Sequence, residues 1–159
     1  MSAEAPYFCG VSVFSSIMVE NNEVKTLALL GATGSIGTQA LEVVRQQPGR
    51  FRVAVLSAQR QWELLAQQAR EFRPAVVVIG DDSFYQPLKA ALADQPETEV
   101  LAGAAALAEV VTRPEIDIEL TALMGYAGLL PTVAAIRAGK DIALDNKGLL
   151  INALEIGAI

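Results

Sequence analysis

LALLGATGSIGTQALEVV, residues 27–44, changes character twice. LALL is an unbroken apolar run, suited to a strand buried on both faces. Gly31, Gly34 and Gly37 then recur at every third position, with Thr33 and Ser35 between them. From Ser35 onward, Ile36, Ala40, Leu41, Val43 and Val44 fall on roughly one face of a helix that stops at Pro48-Gly49. A strand that turns through glycines into a helix aims free N–H groups and the positive end of the helix dipole at one point, where an anion is favoured. Glycine allows positive φ in the turn and close approach of a pyrophosphate to the backbone. Thr33 and Ser35 offer hydroxyl donors beside it. A triphosphate loop is excluded, because Thr38-Gln39 follows Gly37 where Lys and Ser or Thr are required.

The rest of the chain repeats this alternation. Strands are predicted at Lys25–Leu30, Phe51–Leu56, Ala75–Ile79, near Thr98–Leu101, at Ile116–Thr121 and at Asp141–Leu144. Helices are predicted at Ser35–Gln47, Gln61–Phe72, about Ser83–Ala93, Ala104–Val111, Pro131–Ala138 and from Leu149 to Ile156. Glu119, inside the fifth strand, predicts partial exposure there. A βαβαβ series with a glycine loop after its first strand implies a doubly wound, Rossmann-like α/β fold: a mostly parallel sheet with helices on both faces. Residues 25–159 are assigned to this one domain. Residues 1–24 are expected to be an extension without fixed structure, or a start placed too early, since Met18 also begins a chain of this kind. An added edge strand through Gly10–Val19 is the alternative.

Composition narrows the function. The chain is 52% apolar, yet no run approaches the roughly 20 residues that span a bilayer. A membrane partner is not expected, and the short apolar runs suit a cytoplasmic α/β protein. Net charge is −6 with no basic cluster, which argues against nucleic acid. The single cysteine, Cys9, allows no internal disulfide and fits a reducing compartment. There is no histidine, so Ser-His-Asp triads and His-containing metal sites are excluded.

The choice of dinucleotide is made near the end of the second strand. An NAD site usually offers Asp or Glu about 20 residues beyond the loop, to accept from the ribose hydroxyls. That position is Ser57, within LSAQRQW, and no carboxylate appears before Glu63. Arg60 stands where a 2′-phosphate would lie, flanked by Gln59 and Gln61. A guanidinium there attracts the phosphate of NADP and can stack on adenine; a solvated surface arginine is the plain alternative. NADPH is the favoured cofactor. At the other end of the cleft, TALMGYAGLLPT (121–132) and ALDNKGLL (143–150) reach the carboxyl edge of the sheet. Lys147 there suits a substrate phosphate or carbonyl, or is an exposed lysine at a helix start. Asn146 suits a ribose contact or a helix cap.

GATGSIGTQALEVV, LSAQRQWELLAQQAREFRP and ALMGYAGLLPTVAAIRAGKDIALDNK together resemble the 1-deoxy-D-xylulose 5-phosphate reductoisomerase family, from about Lys25 to Lys147. The resemblance implies an NADPH-binding domain of an oxidoreductase that rearranges and reduces 1-deoxy-D-xylulose 5-phosphate to 2-C-methyl-D-erythritol 4-phosphate, in the non-mevalonate route to isoprenoids. It further implies that Thr33, Gly34, Ser35 and Ile36 line the pyrophosphate, that Arg60 meets the 2′-phosphate, that Asn146 touches the cofactor and that Lys147 touches a phosphosugar substrate. A divalent metal, Mg or Mn, belongs to the same implication; a homodimer is an expectation from the sheet edge or apolar patch that a lone domain of this kind exposes.

This chain departs from the family pattern at several points. Gln59 and Gln61 replace Gly and Asn, Asp145 replaces a small residue, and Gly148 replaces the Glu of Asn-Lys-Glu. The family's Asp-Ser-Glu metal group is not found before Ile159, and the acids present show no clustered spacing. The expectation is therefore a chain that binds cofactor without turning over substrate alone. A non-catalytic nucleotide-binding or interaction module on the same fold is the rival. Tyr85 and Lys89 match a short-chain dehydrogenase pair, but Pro87 interrupts them and they follow the third strand, too early for that site. A semialdehyde dehydrogenase needs a downstream cysteine, and Cys9 precedes the whole domain.

Overall fold

The computed structural model describes residues 23–123 and 125–144. Six strands run in chain order: β1 (Lys25–Leu30), β2 (Phe51–Ala58), β3 (Val76–Ile79), β4 (Glu99–Ala102), β5 (Ile118–Thr121) and β6 (Asp141–Leu144). They form one sheet in the order β4-β3-β2-β1-β5-β6, with every neighbouring pair parallel. The helices are α1 (Ser35–Gln46), α2 (Trp62–Phe72), α3 (Tyr85–Ala91), α4 (Ala104–Val110) and α5 (Leu129–Arg137). Short 3-10 turns at Asp82–Phe84 and Gly125–Gly128 precede α3 and α5.

Parallel strands covered on both faces read as continuous apolar runs, and β3, VVVI, is buried at all four positions. The helices bury one stripe each. In α1 it is Gly37, Ala40, Leu41 and Val44; in α2 it is Leu65, Ala66, Gln68 and Ala69. α2 stops at Arg73, whose φ of 47° is left-handed and whose N–H reaches Ala69 O at 2.9 Å, because the following Pro74 disfavours another helical residue before it. Residues of α1, α2 and α3 join one core with Leu27, Leu29 and Leu56, while residues of α4 and α5 join a second with Ala28, Leu30 and Val55. Alternate residues of the same strands therefore face opposite cores, and the sheet is sandwiched as a doubly wound fold requires.

The expected strands and helices are all present within the described residues. The fourth strand lies one residue later than expected, at Glu99–Ala102, and β2 continues two residues further, to Ala58. The fifth strand is shorter than expected, α3 stops at Ala91 and α5 opens two residues early, with Pro131 still in its first turn. The proposed strand at 10–19 and the helix from Leu149 lie outside the described residues. Glu119 corrects an expectation outright. It is not partly exposed but fully buried, at 0%. β5 is an interior strand between β1 and β6, so Glu119 lies between Ala28 and Ile142 in register and under Thr132 of α5. The Thr132 hydroxyl donates to Glu119 Oε1 at 3.3 Å, and Oε2 has no hydrogen-bond partner among the described residues. Burial pushes its pKa up to about 8, against a smaller downward pull from the Thr132 and Thr121 hydroxyls.

Candidate functional site

In the strand order, β1 is the point where the chain stops adding strands on one side and begins on the other. Ligands of such sheets bind at the carboxyl ends of the strands flanking this switch. The turn that leaves β1 there is built almost wholly from backbone. Gly31 has φ +83°, and a Cβ on it would lie 2.9 Å from Ala122 O, beside the end of β5. Gly31 N donates to Ser57 Oγ at 3.2 Å and Ala32 N to Ser57 O at 2.7 Å, so β2 holds the turn from the other side. A Cβ on Gly37 would strike Gly31 O and lie 2.7 Å from Ala32 Cα. Only glycine lets α1 start this close to the strand. Gly34 is the N-cap of α1, extended at φ −78° and ψ 177°, and makes no side-chain cap; no acid lies in the first turn. Gly34 and Ser35 are exposed, and Thr33 and Ile36 are half-buried. The start of α1 is thus an uncapped helix end open to an anion.

A second wall lies at the ends of β2 and β3. Arg60 follows β2 with its side chain 70% exposed. Its Nε is 3.5 Å from Asp81 Oδ2, and its guanidinium lies over the Phe84 ring, 5.6 Å from the centroid. Asp81 Oδ1 accepts from Ser83 N at 3.0 Å and Ser83 Oγ at 2.6 Å. Those two bonds hold the Asp81 carboxyl below the usual carboxylate range, with a smaller contribution from Arg60. The loop after β3 is tied to the loop after β2, because Asp81 N donates to Gln59 O at 2.9 Å and Gly80 N to Ala58 O at 2.8 Å.

The structure therefore brings Gly31, Thr33, Gly34, Ser35, Ile36 and Gly37 together in one turn, with Arg60 on the neighbouring strand end. Asn146 and Lys147 lie outside the described residues. Three contributors escaped the sequence reading. Gln68 of α2 is buried and donates to Ala32 O at 2.8 Å, bracing the glycine turn from behind. Its signal was a polar residue on the apolar stripe of Leu65, Ala69 and Phe72. Asp81 and Phe84 had no such signal, since they meet Arg60 only through the pairing of β2 with β3.

Residues 27–153 match the sequence profile of 1-deoxy-D-xylulose 5-phosphate reductoisomerase. The chain belongs to this family. It is 52% identical over 137 residues to the 1-deoxy-D-xylulose 5-phosphate reductoisomerase of Bacteroides fragilis, which covers 85% of this chain and 35% of that relative. It is 50% identical over 129 residues to that of Acaryochloris marina, covering 80% of this chain and 32% of the relative. Among solved structures, the reductoisomerase of Zymomonas mobilis in complex with NADPH superposes with a TM-score of 0.79 at 41% identity, over 86% of this chain and 36% of that one. A reductoisomerase in complex with NADPH, fosmidomycin and magnesium also superposes at 0.79, with 37% identity, over 85% of this chain and 34% of that one. The chain spans about a third of the length of the curated relatives it matches. The resemblance and the doubly wound fold expected from sequence are both confirmed. Among the described residues, no helix is long and apolar enough to cross a membrane.

Proposed function

We propose that this chain is the NADPH-binding region, residues 25–159, of a 1-deoxy-D-xylulose 5-phosphate reductoisomerase. The observation that carries the reading is the pairing of an uncapped, acid-free helix start at the switch point with a cation, not a carboxylate, at the end of β2. The backbone N–H groups at Ser35 and Ile36 and the Thr33 hydroxyl suit the pyrophosphate; Gly34 lets it approach the backbone while its own N–H donates to Gly31 O at 3.3 Å, and Gly31 and Gly37 keep the turn low enough to admit it. Arg60 suits the 2′-phosphate as a two-pronged donor. When bound, NADPH supplies the hydride of the reduction. On the same reading Asn146 contacts the cofactor, Lys147 binds the phosphosugar substrate, and the protein works in the cytoplasm as a homodimer. The described residues do not fit a divalent metal, since no group of three or more His, Cys, Asp or Glu side chains converges among them.

The test is a fluorescence titration of Trp62, the only tryptophan, which lies two residues from Arg60. NADPH should quench it saturably and bind at least about tenfold tighter than NADH, the effect of a charge-assisted bidentate contact. Arg60→Met should erase that difference by weakening NADPH alone. Equal binding of the two cofactors by the parent chain would remove Arg60 from this role.

A further inference from the structure

We propose that Asp81 and Phe84 are positioning residues that set the preference for a 2′-phosphorylated adenosine, by holding the Arg60 guanidinium so that its two terminal nitrogens stay free for the phosphate. The proposal rests on the assignment of Arg60 to the 2′-phosphate and adds what aims that side chain.

An arginine with a 70% exposed side chain ordinarily samples many rotamers, and fixing it on a ligand costs about 2 kcal/mol of side-chain entropy. Here part of that ordering is already present. Asp81 Oδ2 meets Nε, on the stem side of the guanidinium, at 3.5 Å. The Phe84 ring, 5.6 Å below, restrains the guanidinium plane. No hydrogen bond to Arg60 Nη1 or Nη2 is made among the described residues, which leaves the fork that matches a phosphate. The support is itself anchored. Oδ1 of Asp81 is occupied by the two Ser83 bonds, so Oδ2 is the oxygen left for Arg60. Phe84 packs against the core shared by α1, α2 and α3. Gly80, the residue before Asp81, leaves the space in which the Gln59 carboxamide lies against it, and the two loops stay in contact.

Asp81 also carries a negative charge that opposes a phosphate. That repulsion acts across the width of the guanidinium, between solvent-exposed groups, where about 8 Å of separation is already a full screening length at physiological salt. The Asp81–Arg60 contact, at 3.5 Å, lies well inside that length and is weakened less, and the Phe84 ring contact adds ordering that needs no second charge. Positioning therefore outweighs repulsion, and neutralising Asp81 should weaken phosphate binding rather than strengthen it.

Adenosine 2′,5′-bisphosphate and 5′-AMP are suitable probes, because they report the adenosine half of the site without the nicotinamide end. Their affinities for the chain are measured by Trp62 fluorescence, with a circular-dichroism melt of each variant. Asp81→Asn keeps an acceptor for Ser83 while removing the charge. It should weaken the bisphosphate about three- to fivefold, in the range of one exposed ion pair, and leave AMP within about twofold. Phe84→Leu keeps the apolar anchor without the ring face and should weaken the bisphosphate about twofold, again sparing AMP. Unchanged or tighter bisphosphate binding by Asp81→Asn would overturn the proposal. So would a parallel loss of AMP binding, the mark of a loosened loop. If the parent chain does not distinguish bisphosphate from AMP, the Arg60 assignment fails and this proposal with it. If Arg60→Met abolishes the distinction but Asp81→Asn retains it in full, only the positioning role is lost.

Discussion

The glycine turn after β1 and the rim at the ends of β2 and β3 lie along the same carboxyl edge of the sheet and are built in opposite ways. In the turn, Gly31, Ala32 and Gly37 are buried, the partners are backbone atoms, Ser57 and Gln68, and the groups proposed to meet the anion are main-chain N–H with the Thr33 hydroxyl beside them. At the rim, the recognising group is one long side chain that is mostly in water, held by an ion pair and a ring. The first arrangement cannot change without moving α1 against the sheet. The second can change residue by residue at little cost to the fold. On the proposed reading, general affinity for a dinucleotide belongs to the scaffold, and the choice between dinucleotides belongs to side chains laid on it.

The contrast is tested hardest at Gly37. Its φ is helical, so alanine meets no backbone strain there, only the backbone atoms of Gly31 and Ala32. Those atoms cannot swing aside as a side chain would, so α1 must shift. Gly37→Ala should destabilise the chain by about 3 kcal/mol, the upper range for overpacking, and lower the melting temperature by roughly 10 °C. A thermal melt by circular dichroism checks this. A variant melting within about 2 °C of the parent would break the distinction between a rigid turn and a tolerant rim.

Glu119 sharpens the comparison from the other side of the switch point. It is a buried side-chain carboxyl beside a turn built mainly from backbone, with one hydrogen bond from Thr132 and an Oε2 that has no partner among the described residues. Its folded pKa of about 8 stands above the ordinary 4.5, so the folded chain keeps a proton that the unfolded chain releases. Between pH 4.5 and 8 the unfolded state binds fewer protons, and stability falls as pH rises through that window. Glu119→Gln keeps an acceptor for Thr132 and removes the titration. Relative to this variant, the parent should lose about 2–3 kcal/mol between pH 5 and pH 8.5, a part of what full burial of the charge would cost. Parallel melting curves across that range would show that the carboxyl is not held neutral by burial.

What was legible in the sequence follows the same division. The turn announces itself because its constraints are local: three glycines at fixed spacing between an apolar run and a helical stripe. Arg60 was found by counting from that turn, since the length of a βαβ unit is itself constrained. Asp81, Ser83 and Phe84 belong to another strand end and reach Arg60 only through the β2–β3 register, which no local pattern encodes. Glu119 was misread because a charge in a short strand ordinarily marks exposure; its burial depends on β6 and α5 packing on an interior strand. Helix ends moved by a residue or two where the backbone, rather than periodicity, sets the boundary, as at Gln61, whose φ −79° and ψ 67° are not helical and which stands at the N-cap of α2, its carbonyl accepting from Leu65 N, instead of beginning the helix.

Gln68 offers the smallest test and joins the two walls. It lies on α2, the helix that begins just after Arg60, and it donates to the carbonyl of Ala32 inside the glycine turn. Any movement of the turn is therefore felt by the helix behind the rim. Gln68→Met conserves length and burial but leaves the Ala32 carbonyl without this donor. Losing a buried partner costs about 1–3 kcal/mol, and removing the amide oxygen, which itself has no partner among the described residues, offsets part of that. The net loss should be about 1 kcal/mol, read as a shift of roughly 3 °C in the melt. Its effect on ligands is more telling than its effect on stability. A brace on the turn should weaken NADPH and NADH by the same factor, because both carry the pyrophosphate. A selective loss of NADPH would mean that Gln68 acts through the rim, and that the two walls are one structure.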